Sequence, residues 1–194
     1  MEVVAIIDHP LAGRTGLSWE EFLALPVETR NCALIDGEIV MNSPNAGHEL
    51  CVCNLLRAWS EWYHAAPDRG EASTQQPVRI AERRGYQPDL AWYPAEQCAP
   101  PGGPPAFSGL PAIVVEVLSP STRGFDLVRK QHDYAVVGVR ELWLVDPDEP
   151  GVIVARRPSP GGAFTEIIEL DIAGPVESPL LPGFALPVAE VFVR

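Results

Sequence analysis

Three residues have types and spacing that could do chemistry together. Asp89 stands in "YQPDLAW", Glu116 in the aliphatic run "AIVVEVL", and Lys130 in the helical stretch "FDLVRKQHDYAVV" that follows. Ile113, Val114, Val115, Val117 and Leu118 are β-branched or aliphatic and read as an inner strand. An ionised Glu116 in that run is costly unless something pairs with it. Either a cation waits there or the run is not a plain strand. By strand alternation Asp89 faces away from Leu90 and Trp92, and Glu116 shares the face of Val114 and Leu118. If the two strands are neighbours, the carboxylates converge. Two carboxylates that close repel each other and need a divalent cation or a shared proton. Hard oxygen ligands with waters suit Mg²⁺ or Mn²⁺. Asp126, Lys130 and Tyr134 follow at i, i+4 and i+8, near one helical stripe. From there the lysine could swing back over the carboxylates. It could orient or deprotonate a metal-bound water, or stabilise charge on a phosphoryl group.

Each residue also has a plain structural reading. Glu116 could reach water at a strand end or make a structural salt bridge. Asp89 could bond its own backbone after Pro88. Lys130 could pair with Asp126 on the helix surface, a contact worth about 0.3–0.5 kcal/mol. His48 could make a structural hydrogen bond at a helix start, and Tyr134 could pack in the core. Ser119 and Ser121 read as caps for the helix, since no histidine–acid pair accompanies them.

The positioning elements are readable in outline. "SWEEFLALP" predicts a short helix with Ser18 as N-cap and Glu21 closing a capping box. "CALIDGEIVMN" predicts a hairpin about Asp36-Gly37. "NAGHELCVCNLLRAWSEWYHAA" is the longest helical pattern, with Leu50, Cys53, Asn54, Leu56, Trp59 and Trp62 at three- and four-residue steps. "EASTQQPVRI" and "YQPDLAWYP" predict two strands about a polar turn at Glu82–Gly85, where Arg83 and Arg84 are solvated. A loop follows, with six prolines and three glycines between Pro94 and Pro111. Then come a strand from Ala112 to Leu118, a helix from Phe125 to Val137 ending at Gly138, two strands about "DPDEPG", and a strand in "GAFTEIIEL". Trp59, Trp62, Trp92 and Trp143 read as core aromatics.

The chain has 194 residues, which favours one domain with its own core. At 46% hydrophobic and 21% charged it has a globular, not a disordered, composition. No apolar run approaches the roughly 20 residues of a membrane span. The start "MEVVAIIDHPLAG" lacks the basic residues of a signal peptide. Cys32, Cys51, Cys53 and Cys98 form no CxxC pair and read as free thiols of a reducing cytoplasm. The net charge of −12 argues against bulk electrostatic coating of nucleic acid.

"LIDGEIV…SPNAGH", "QPDLAWY", "PAIVVEVLSPST", the Asp126–Lys130–Tyr134 spacing and "GVRELWLVDP" together resemble the Uma-type family of restriction-endonuclease-like proteins, within the PD-(D/E)xK phosphodiesterase superfamily. The resemblance runs from about Ser18 to the C-terminus. It implies a mixed four-stranded core sheet flanked by helices in the order αβββαβ, an α+β domain over residues 1–194, with an added N-terminal hairpin and C-terminal strands. It implies Asp89 as the PD aspartate, Glu116 as the second acid and the Val117 carbonyl as a further metal ligand. The lysine usually found two residues after that acid is Leu118 here. The resemblance places its function at Lys130. The acid that usually precedes "LIDGE" is Ala33 here, and Glu38 or Glu49 could substitute. His48 matches a histidine near the family's site.

The leading expectation is therefore a Mg²⁺- or Mn²⁺-dependent endonuclease acting on DNA as a cytoplasmic homodimer, with no membrane partner. The competing expectation is a catalytically weak or inactive module that binds nucleic acid or a protein partner. The negative charge and Ala33 speak for the second. A hydrolase of other phosphoesters is a third.

Overall fold

The computed structural model describes residues 11–25, 31–42, 44–66, 68–100, 106–119, 123–157 and 161–194, and only the backbone of residues 125–127. The first ten residues and Ser121 lie outside this set. So do the side chain of Asp126 and the middle of the proline-rich loop. The chain divides into two compact units, Met1–Ser43 with Pro77–Gln87, and Pro44–Gln76 with Pro88–Arg194.

The smaller unit begins with helix α1 (Trp19–Leu23). Ser18 caps it and Glu21 reaches back to the Ser18 N–H at 2.8 Å, completing the capping box. Strands β1 (Cys32–Ile35) and β2 (Glu38–Met41) turn at Asp36-Gly37, both residues at positive φ. They join β4 (Val78–Ala81) and β5 (Arg84–Tyr86) in a four-stranded sheet, ordered β2-β1-β5-β4. Arg84 pairs with Asp36 here. Gly85 lies under the Trp19 ring so closely that a Cβ there would stand 2.1 Å from it.

The larger unit holds α2 (Ala46–His64), β3 (Glu71–Thr74), β6 (Leu90–Tyr93), β7 (Ile113–Val117), a helical segment and β8 (Glu141–Asp146). This is the αβββαβ order, interrupted by the excursion that carries β4 and β5. Each predicted long strand of that region is thus two strands. Gln75 takes a left-handed φ of +54°, and Pro77 and Pro88 lack the N–H a ladder needs. The Gln75 N–H bonds the Pro88 carbonyl at 3.1 Å and brings the two ends of the excursion together. Strands β9 (Gly151–Arg156) and β10 (Glu166–Asp171) extend the core to six, ordered β10-β9-β8-β7-β6-β3. Among the described residues only β7 and β8 pair in parallel, as a strand–helix–strand crossover requires. The C-terminal β11 (Pro175–Glu177), β12 (Ala185–Pro187) and α5 (Val188–Val191) complete the unit.

The helical segment differs from the expected single helix. It comprises α3 (Arg123–Phe125), a π-helical turn (Asp126–Lys130) and α4 (Gln131–Val137), ending at Gly138 with φ +118°. The buried stripe of α2 also differs in phase. It runs through His48, Cys51, Leu55, Trp59 and Trp62, while Cys53 is exposed. This stripe packs on Leu90, Trp92, Ile113, Val115 and Trp143 in the main core. Burial lifts the Cys51 thiol to about 11, so it stays protonated and inert at neutral pH. Among the described residues no helix is long and apolar enough to cross a membrane.

Trp59 is fully buried, with its ring 5.3 Å from that of Trp143. Trp59→Ala should cost about 3–5 kcal/mol of stability. Urea unfolding followed by circular dichroism measures it.

Candidate metal centre

The site forms where β6 begins and β7 ends. Leu90 lies opposite Val115 and Ala91 opposite Val114. Asp89 stands in the bend just before β6, and Glu116 follows Val115 in β7. Paired residues of an antiparallel ladder share a face. Leu90 and Val115 point into the main core beneath α2, so Glu116 projects on the other side of the sheet, while Asp89, in the bend just before β6, turns its carboxylate to the Val117 N–H and to His48 of α2. Both carboxylates are buried, at 8% and 3% exposure.

Each carboxylate has its own partners. Asp89 Oδ2 accepts the Val117 backbone N–H at 2.7 Å and lies 3.2 Å from His48 Nε2. Glu116 Oε2 accepts from Lys130 Nζ at 2.8 Å, and Oε1 accepts from Tyr134 Oη at 2.6 Å. Lys130 is 4% exposed and Tyr134 fully buried. The π-helical turn ends on Lys130, and regular helix carries Tyr134 one turn later, so both side chains reach the same carboxylate. Lys130 thus pairs with Glu116, and the side chain of Asp126 is outside the described residues.

His48 enters from the first turn of α2, whose N-cap Asn45 accepts the His48 N–H at 2.9 Å. Burial pulls its pKa down. The hydrogen bond and charge of Asp89, with the charges of Glu49 and Glu116, outweigh burial and hold it above 6.5. The His48 Nδ1 atom is buried without a hydrogen-bond partner and lies 3.8 Å from Glu49 Oε1. The Glu49 side chain is mostly exposed. Glu38 is an exposed β2 residue and Ala33 a buried β1 residue, both of the smaller unit. Leu118 is buried, and its N–H continues the ladder to the Val145 carbonyl at 2.8 Å.

The donor set suits a small hard cation. Among the described residues no three His, Cys, Asp or Glu side chains gather in a metal-holding cluster. Mg²⁺ does not need one, since it keeps several waters and takes one or two carboxylates. Among those same residues nothing bonds Asp89 Oδ1, and the Asp89 side chain keeps 11% exposure. A strand residue turns its N–H and C=O to the same side. The Val117 carbonyl therefore points, like its N–H, toward Asp89. Asp89 Oδ1, Glu116 and that carbonyl make an all-oxygen set.

Two features escaped the sequence reading. Lys130 is the only lysine in a chain whose other basic residues, among 14 Lys and Arg, are arginines. That imbalance was a signal for a role arginine cannot fill. Arg123, which pairs with Asp146 at the end of β8, left no such signal.

The sequence matches the Uma2 family, described as "Putative restriction endonuclease", over residues 19–189. No curated protein matches it. Among solved structures, the crystal structure of "a putative nuclease belonging to DUF820" from Anabaena variabilis ATCC 29413 superposes with a TM-score of 0.75. That similarity covers 91% of this chain and 98% of the other, at 20% sequence identity, and it is a likeness of fold.

A raised histidine pKa stabilises the fold below the unfolded value and loses that contribution as pH rises through the folded one. In chelator-treated protein the His48 imidazole should titrate above 6.5, and Asp89→Asn should lower that value, as read by NMR. The stability gap between wild type and His48→Gln should be wider at about pH 5.5 than at about pH 8.5.

Proposed function

This chain belongs to the Uma2 family, and from that premise we propose that it is a metal-dependent nuclease hydrolysing phosphodiester bonds of DNA. One observation carries the reading. Two buried carboxylates stand at the joined ends of β6 and β7, Asp89 accepting the N–H of Val117 next to Glu116, and the chain's only lysine sits on Glu116.

Asp89, Glu116 and the Val117 carbonyl would hold Mg²⁺ or Mn²⁺. When bound, the ion supplies positive charge against the negative charge that develops in an in-line displacement at phosphorus. Val117 N–H and His48 fix the orientation of the Asp89 carboxylate. Tyr134 fixes that of Glu116. Lys130 positions the attacking water or offsets charge on the phosphoryl oxygens. In this reading residues 1–194 act as one domain, in the cytoplasm, and a homodimer sets two sites against two strands.

A second reading has a specific observation behind it. Lys130 and Tyr134 already satisfy Glu116 within the protein, as they would in an inactive module that keeps the fold for binding. The two readings differ in metal binding and turnover. Glu116→Gln keeps the shape and the bond to Tyr134 while removing the charge. It should abolish Mg²⁺-dependent cleavage of DNA, measured with supercoiled plasmid, and leave the circular dichroism spectrum unchanged. Cleavage at the wild-type rate by that variant refutes the assigned roles. Absence of Mg²⁺ and Mn²⁺ binding to wild type in calorimetry favours the binding module.

A further inference from the structure

Glu116 is held from two sides by groups of opposite character. Tyr134 is neutral, rigid and fully buried, and it belongs to regular helix. Its own carbonyl is tied to the N–H groups of Gly138 and Val139, at 3.2 and 3.0 Å. Lys130 is a charge on a flexible four-carbon stem at the end of a π-helical turn, a conformation that occurs in single turns and often at functional sites. Val128 of that turn is exposed.

A divalent cation on Glu116 would meet the Lys130 ammonium, which lies 2.8 Å from Oε2. Two positive charges that close repel strongly where water is excluded. The phenol of Tyr134 on Oε1 carries no charge and has no such conflict.

We propose that Tyr134 is the positioning residue that keeps Glu116 oriented throughout, whereas Lys130 occupies Oε2 only in the metal-free protein and leaves it when the cation binds. The displaced ammonium then no longer bonds Glu116 Oε2, and its charge can turn toward an anionic phosphate. Cation and phosphodiester binding are therefore positively coupled. Arginine would serve poorly at this position, because its bidentate fork holds a carboxylate too well. This inference rests on the metal-dependent reading of the same site.

The single lysine makes the test direct. Protein labelled with nitrogen-15 lysine gives one Nζ resonance, to be followed while Ca²⁺, a hard cation that takes oxygen ligands, is titrated in. Calorimetry gives the Ca²⁺ affinity of wild type and variants. The Lys130 resonance should shift on saturation. Lys130→Met should bind Ca²⁺ several-fold more tightly than wild type. Lys130→Arg, which keeps the charge should the methionine variant fail to fold, should bind more weakly. Tyr134→Phe should bind roughly tenfold more weakly, with an unchanged circular dichroism spectrum. An unmoved lysine resonance at saturation, or Lys130→Met binding no tighter than wild type, overturns the exchange. So does Lys130→Arg binding as tightly as wild type. Wild-type affinity in Tyr134→Phe overturns the positioning role. Failure of wild type to bind any divalent cation overturns the exchange together with the metal-dependent reading. A wild type that shows the exchange yet cleaves no DNA in Mg²⁺ sinks the nuclease reading alone.

Discussion

A carboxylate at 3% exposure inside a six-stranded sheet needs compensation, and much of the larger unit is arranged to give it to Glu116. Removing such a charge from water costs several kcal/mol, which only close opposite charge and hydrogen bonds offset. Lys130 and Tyr134 supply both from one helical segment. That requirement fixes how the segment lies on the sheet. Two side chains four residues apart must reach the two oxygens of one carboxylate, so α4 cannot rotate or slide without stranding a charge. The parallel β7–β8 pairing follows from the same need, since the chain must cross the sheet face over Glu116 before it returns as β8.

Asp89 is treated differently, and the difference gives the site a direction. Its Oδ2 is held by a backbone N–H and a histidine, and Oδ1 is left to solvent or a ligand. Glu116 is saturated by the protein. One carboxylate is thus oriented and open, and the other oriented and counterbalanced. A ligand with two positive charges can join both only by altering the balance at Glu116. The polar groups that do not change, Val117 N–H and Tyr134 Oη, hold the two carboxylates in place meanwhile.

What was legible in the sequence was what neighbours in the chain decide. Ser18 with Glu21, Asp36-Gly37 and Gly138 are local signals, and each stands where its chemistry asks for it. The order of helices and strands in the core was equally readable. The longer-range facts were not. Nothing local sets Leu90 against Val115, and that pairing decides whether Asp89 meets Glu116. Pro77 and Pro88 were visible as strand interruptions, but not as the points where the chain leaves one sheet for another. The stripe on α2 was read one register away because Leu50 and Leu56 are as apolar as Leu55, and only packing separates them. The π-helical turn has no composition of its own. Tyr134 was open to a reading as simple core packing because its ring is buried, although its hydroxyl bonds the acid.

Charge across the whole chain bears on how such a site would meet a polyanion. With 26 acidic residues against 14 basic ones, the protein repels phosphate at a distance. Several of its cations are committed to its own carboxylates: Arg79 to Glu20, Arg84 to Asp36, Arg123 to Asp146, Arg156 to Glu141 and Lys130 to Glu116. Bulk charge therefore does not favour the approach of a polyanion. On the proposed reading, attraction is generated at the site, by the cation and by the lysine it displaces. The lysine missing at Leu118 matters for the same reason. Placed there, its ammonium would run along the strand from Glu116. Arriving from the helix, it reaches the carboxylate from outside the ladder that Leu118 continues.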